Sequence, residues 1–217
     1  MGQGWIALLL TVISGYLLGS VNSAIVVARL FGLPDIRRYG SGNAGATNMF
    51  RTHGKKPAAL TFLGDLLKAV FAVLLARAIF HLFASPIIVD PGYVSGLFVL
   101  LGHIFPVYFG FKGGKGVMPA FGIILLVNPP VFLILFAVAL PVFLISRTMS
   151  LVSVLSAILY PIATMAVCLI RHTNPWYETG FALAYSILVL YSHRSNIKRL
   201  LGGTEKPVLP GKPRPGS

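Results

Sequence analysis

Seven stretches of this chain are too apolar for water to serve as their solvent, and that limits the fold more than any motif does. They run over residues 5–30, 57–83, 93–109, 117–127, 131–146, 151–170 and 179–191. A helix crossing about 30 Å of hydrocarbon needs roughly 20 apolar residues, with a range of about 17–25. Backbone polar groups must pair internally in lipid, so helices are the expected form. The chain therefore reads as an all-α integral membrane protein of about seven transmembrane helices, with six as the main alternative. The stretch at 117–127 is the weakest, a half-span or a helix continuing past Pro119. The first five residues carry no Lys or Arg, so they lack the charged start of a secretory signal, and 5–30 is read as one uncleaved helix. One transmembrane domain is expected over residues 1–205. A Pro-rich cytoplasmic tail, expected to be disordered, follows over 206–217.

Charge then orients the spans. Only 11% of residues are charged, against about 25% in a soluble domain, yet the net charge is +13. In a soluble protein such an excess would suggest nucleic acid. Here cytoplasmic enrichment of Lys and Arg accounts for it, and no nucleic-acid partner is expected. With the N-terminus outside and the C-terminus in the cytoplasm, the outer segments hold only one basic residue, Arg171. The single Cys168 rules out an intrachain disulfide and a Cys-based zinc cluster.

That orientation puts three Gly-rich or basic segments, residues 40–51, 109–116 and 192–199, on the cytoplasmic face. Gly40-Ser41-Gly42-Asn43-Ala44-Gly45 matches the dinucleotide pattern G-x-G-x-x-G, but no strand precedes it and no βαβ pattern surrounds it. What survives is local: glycines let backbone N–H groups approach an anion, and Arg51 offers a fork for phosphate oxygens. Gly110-Phe111-Lys112-Gly113-Gly114-Lys115-Gly116 lacks both the first Gly and the Ser/Thr of a P-loop, leaving an anion nest with a Lys at its tip. His193 and Asn196, three apart, share one helical face, while Arg194 and Lys198 share another. Asp65 and Lys68 form an i, i+3 pair inside a span, where an isolated charge costs at least about 2.5 kcal/mol. With five carboxylates in all, no metal site is expected, and no Ser-nucleophile or His-Asp motif is present. Convergent cations, hydroxyls and amides at a lipid boundary suit phosphate-bearing substrates. A transporter of an organic phosphate is the alternative, although no repeat supports it.

In combination the segments resemble the three motifs of the bacterial acyl-phosphate:glycerol-3-phosphate acyltransferases, membrane enzymes of phospholipid biosynthesis. The matches run from residue 40 through Arg51 to Gly64-Asp65-Leu66-Leu67-Lys68, from Gly102-His103 through Val117, and from His193 to Glu205. Met118-Pro119 and Tyr191-Ser192 depart from the pattern. The resemblance implies acyl transfer from acyl phosphate to the 1-hydroxyl of glycerol 3-phosphate, without a cofactor, giving lysophosphatidic acid and phosphate. It also implies a multi-pass protein of the bacterial inner membrane, surrounded by lipid, with its active site facing the cytoplasm; a monomer is the expectation for the assembly, which the sequence itself does not give. Ser41, Arg51 and Lys115 would bind and polarise phosphate, and His193 and Asn196 would orient glycerol 3-phosphate. Gly42, Asn43, Gly113 and Gly114 would supply amide donors, with Thr47, Asn48 and Lys68 completing the phosphate contacts. Two proton acceptors stay open, His193 and the acyl phosphate's own phosphate.

Overall fold

The first apolar run does not stay one helix. In the computed structural model, which describes residues 2–84 and 89–208, α1 (Gly2–Ser20) stops and α2 (Ser23–Leu30) starts afresh. The cause is Asn22, whose buried Oδ1 accepts from the Ile25 amide at 3.1 Å as an N-cap. Its Nδ2 donates to the Ala44 carbonyl at 3.3 Å. A short polar side chain competes with the helix ladder for backbone hydrogen bonds, and here it wins.

Six of the remaining helices follow the apolar runs, while two form in the first and third Gly/basic segments. They are α3 (Ala46–His53), α4 (Lys55–Leu82), α5 (Pro91–Ile104), α6 (Val117–Val127), α7 (Pro129–Ser146), α8 (Met149–Ile170), α9 (Pro175–Ser192) and α10 (Arg194–Leu201). Among the described residues, five segments are long and apolar enough to cross a membrane: Gln3–Ser20, Lys55–Leu82, Pro91–Phe109, Pro129–Ser146 and Met149–Ile170. α6 has 11 residues, about 16 Å at 1.5 Å per residue, roughly half the hydrocarbon thickness. Apolar side chains such as Ile145, Ile170 and Ile187 point outward, as lipid contact requires.

α1 packs closely on α5. Gly19 and Gly102 allow it, since a Cβ at either would overlap the partner helix's backbone. The core lies where α4, α5, α6, α8 and α9 meet, around Val73, Val99, Ile123, Tyr160 and Tyr185. One set of helix ends is clamped by polar groups. Arg77 pairs with Asp90 at 2.5 Å, and Glu178 accepts from Tyr93 Oη and Asn128 Nδ2, both at 2.9 Å. The opposite ends, those of α3, α5, α6, α8 and α9 nearest the three Gly/basic segments, are left to frame a cleft. Of the Pro-rich tail, residues 209–217 lie outside the described residues.

Candidate active site

The first Gly-rich segment is shaped by Asn48. From the first turn of α3, its Oδ1 accepts from the Ser41 amide at 2.9 Å, and its Nδ2 donates to the carbonyls of Ile36 and Tyr39. Gly40, at φ +59, is required there, because a Cβ would overlap Asn48 Oδ1. Arg37 then stitches this segment to the second. Its guanidinium holds Asp35 at 2.7 Å and donates to the carbonyls of Phe109 at 2.7 Å and Lys112 at 3.3 Å. Segments separated by dozens of residues are thereby fixed side by side.

The cleft between them has a volume of about 140 Å³. Lys115 enters from one wall and donates to Asn196 Oδ1 at 2.5 Å. Asn196 Nδ2 in turn donates to Glu205 Oε1 at 2.6 Å, and that carboxylate also accepts from Ser150 Oγ at 2.7 Å and Arg199 Nε at 2.5 Å. His193 closes α9 as its C-cap. Its Nδ1 donates to the Val189 carbonyl at 2.8 Å, which places the lone pair on Nε2. Arg51 reaches across the mouth to the carbonyls of Lys206 at 2.9 Å and Pro207 at 3.3 Å. Ser41, Asn43 and Thr47 line the same cleft.

Besides α10, which follows directly on α9, three helices start at this cleft with no side-chain cap. They are α3 after Gly45, α6 after Gly116 and α8 after Thr148, and the first turns of all three lie along its wall. Uncapped N-termini direct amide hydrogens and partial positive charge at one volume, an arrangement suited to an anion.

Burial decides the charge states here. Desolvation pushes Lys115 down to about 8; Glu205 opposes the shift, and Arg199 and Arg51 add to it. Desolvation also pushes His193 down to about 4, with the Val189 hydrogen bond opposing and Lys115 assisting. At neutral pH the cleft thus holds a cationic Lys115 and a neutral His193. Burial acts to raise Glu205, but its bonds from Arg199, Ser150 and Asn196 outweigh that and hold it low, so it stays a carboxylate.

Ser41, Asn43, Thr47, Asn48, Arg51, Lys115, His193 and Asn196 all line this one cleft. Four expected contributors are placed otherwise. The amide of Gly42 is taken by the Tyr39 carbonyl, and those of Gly113 and Gly114 by the Ile104 and His103 carbonyls. The end of α5 leaves carbonyls without helical partners, and the Gly loop satisfies them instead of an anion. Lys68 is turned into the bundle, where its ammonium pairs with Asp65 at 3.0 Å and donates to Gly19 O, Val21 O and His103 Nδ1. Asn48, although at the wall, spends its amide group on the loop. Sequence reasoning gave no role to Glu205, Arg199, His103 or the α8 serines Ser150 and Ser153, which also line the cleft. Two serines three apart at the start of an apolar run were a readable signal. Among the described residues, no group of three or more His, Cys, Asp or Glu side chains is gathered to hold a metal ion.

Comparison with known proteins falls on this arrangement. The profile of the glycerol-3-phosphate acyltransferase family matches residues 9–203. The chain belongs to that family. A glycerol-3-phosphate acyltransferase of Thioalkalivibrio sulfidiphilus is 44% identical over 199 residues, covering 91% of this chain and 92% of the relative. One from Agrobacterium fabrum is 39% identical over 201 residues, covering 93% and 92%. Among solved structures, PlsY, an integral membrane glycerol 3-phosphate acyltransferase crystallised in its glycerol 3-phosphate form, superposes with a TM-score of 0.78. It is 39% identical, with 92% of this chain and 94% of PlsY covered. Its lysophosphatidic acid form gives a TM-score of 0.77. The family's fold therefore extends over nearly the whole chain, the three stitched segments included.

Proposed function

We propose that this chain moves a fatty acyl group from acyl phosphate to the 1-hydroxyl of glycerol 3-phosphate, releasing lysophosphatidic acid and phosphate. The observation that carries the reading is the convergence of Arg51, Lys115 and three uncapped helix N-termini on one cleft that also holds the Nε2 lone pair of His193. Two phosphate-bearing substrates need such a concentration of donors. An apolar groove between α6, α8 and α9 shares Val117 and Ser153 with the cleft and suits the acyl chain.

In the proposed step, the glycerol hydroxyl oxygen attacks the acyl carbonyl carbon, and the carbon–oxygen bond to phosphate breaks with its electron pair leaving on phosphate. Lys115 balances the charge that develops. The hydroxyl proton has two acceptors at hand. His193 at about 4 is the weaker base, whereas a phosphate's second ionisation lies near about 6. The proton therefore ends on the departing phosphate, and His193 Nε2 orients glycerol 3-phosphate by accepting a hydrogen bond from its other hydroxyl.

The topology proposed with this reaction is seven crossings, with α1 and α2 counted as one, the N-terminus outside and the cleft facing the cytoplasm of a bacterial inner membrane. Residues 1–205 act as one domain with 206–217 as a tail, and the cleft is complete within one copy, so a monomer suffices. Phosphate release by purified protein given palmitoyl phosphate and glycerol 3-phosphate tests the activity. Release no greater than that of a Lys115→Ala control would overturn it.

A further inference from the structure

The cleft is faced by two histidines, and their buried partners set opposite proton positions. His193 gives its Nδ1 hydrogen to the Val189 carbonyl, so its Nε2 accepts. His103, near the end of α5 and 3% exposed, has its Nδ1 2.9 Å from Lys68 Nζ. Lys68 is held as an ammonium by its ion pair with Asp65 at 3.0 Å and gives two of its three hydrogens to Gly19 O at 3.0 Å and Val21 O at 2.7 Å, leaving the third for His103. Asp65 Oδ1, at 3.6 Å from His103 Nδ1, is too far to take a hydrogen from it. An ammonium has hydrogens to give and no lone pair to receive one. Nδ1 of His103 must therefore be the acceptor, which puts its ring proton on Nε2. The Nε2 edge lies against Gly114, the residue before Lys115, with the Ala44 carbonyl on the same side, and His103 lines the cleft.

Resting on the acyltransferase reading, we infer that His103 presents a neutral Nε2–H donor to a phosphate oxygen of bound substrate, and that Lys68 is the positioning residue fixing this tautomer. The cleft then offers one neutral imidazole that donates, His103, and one that accepts, His193. The arrangement explains why a lysine sits at the break between α1 and α2: the unpaired carbonyls there anchor the ammonium from one side while the imidazole receives from the other. It also explains Gly114, since a Cβ there would overlap the His103 ring.

Nitrogen NMR of histidine-labelled full-length protein in detergent reads the tautomers directly, without turnover. The expected spectrum has His103 protonated on Nε2 and His193 on Nδ1, assigned by the signals lost in His103→Gln and His193→Gln. Adding glycerol 3-phosphate or inorganic phosphate should shift the His103 Nε2–H signal. In Lys68→Met the His103 tautomers should mix. In turnover, His103→Leu should lower kcat/KM roughly a hundredfold, while His103→Gln, whose amide can both accept from Lys68 and donate to the cleft, should stay within about tenfold of wild type. A proton on Nδ1 in the wild type would overturn the inference. So would a folded His103→Leu within about threefold of wild type. Should that variant not fold, an Nε2–H signal unmoved by saturating glycerol 3-phosphate and phosphate decides against it. Wild-type protein that shows the tautomers but releases no phosphate would instead overturn the acyltransferase reading.

Discussion

Lys115 is the residue whose environment makes the most measurable demand. Burial holds it at about 8, so the charged form that the proposed step uses is lost as pH rises through that value. We expect kcat/KM to fall above about pH 8, approaching tenfold per pH unit. The neighbouring Glu205 carboxylate raises the Lys115 value, so Glu205→Gln should move the alkaline limb to lower pH. It should also cost about 1.5–3 kcal/mol of stability, the usual value of hydrogen bonds to a charged group, because the carboxylate ties Ser150, Asn196 and Arg199 together. A kcat/KM–pH profile of both proteins, with thermal unfolding in detergent, reads both effects. For His193 the expectation is a binding effect. His193→Gln should raise KM for glycerol 3-phosphate more than it lowers kcat, and a loss of kcat of about a thousandfold at saturation would make the imidazole the base after all.

Helices matter here for where they begin and stop. The break after α1 creates the carbonyls that Lys68 captures, and the cap that makes the break is Asn22. Removing it in Asn22→Ala should cost about 1–2 kcal/mol, as for other N-caps, and release the tie to Ala44. A lowered Tm in detergent is the readout, and an unchanged Tm would mean the break is set elsewhere. Gly114→Ala tests the loop that carries Lys115. The new Cβ meets the His103 ring, so the loop must shift. A misplacement of about 1 Å near reacting atoms costs on the order of a hundredfold in rate, and steady-state turnover with a Tm control separates this from unfolding.

The whole molecule divides its polar groups between two ends. One end is closed by Arg77–Asp90 and the Glu178 cluster, and the other opens as the cationic cleft. Thiol labelling on a background with Cys168→Ser checks which end faces out. Asn174→Cys should react with an impermeant reagent in intact cells, and Lys56→Cys only after permeabilisation; the reverse result would invert the topology. Much of this organisation was legible along the chain. Apolar runs report helices because lipid leaves the backbone no other partner, while the sidedness read from the basic loops rests on cytoplasmic enrichment of Lys and Arg and is what the thiol labelling tests. Ser41, Arg51, Lys115, His193 and Asn196 could be picked out because each is a polar residue in a Gly-rich or basic return between apolar runs. The direction in which a group spends its hydrogen bonds was not legible. Gly113 and Gly114 look like free amides until the end of α5 claims them, and Lys68 looks like a phosphate ligand until the α1–α2 break claims it. The sequence by itself determined a bundle of membrane helices with Gly-rich and basic segments between them. Only the tertiary structure decided which donors remain open to substrate, because a hydrogen bond already made inside the fold is unavailable to a ligand, and its partners come from helices remote in the chain.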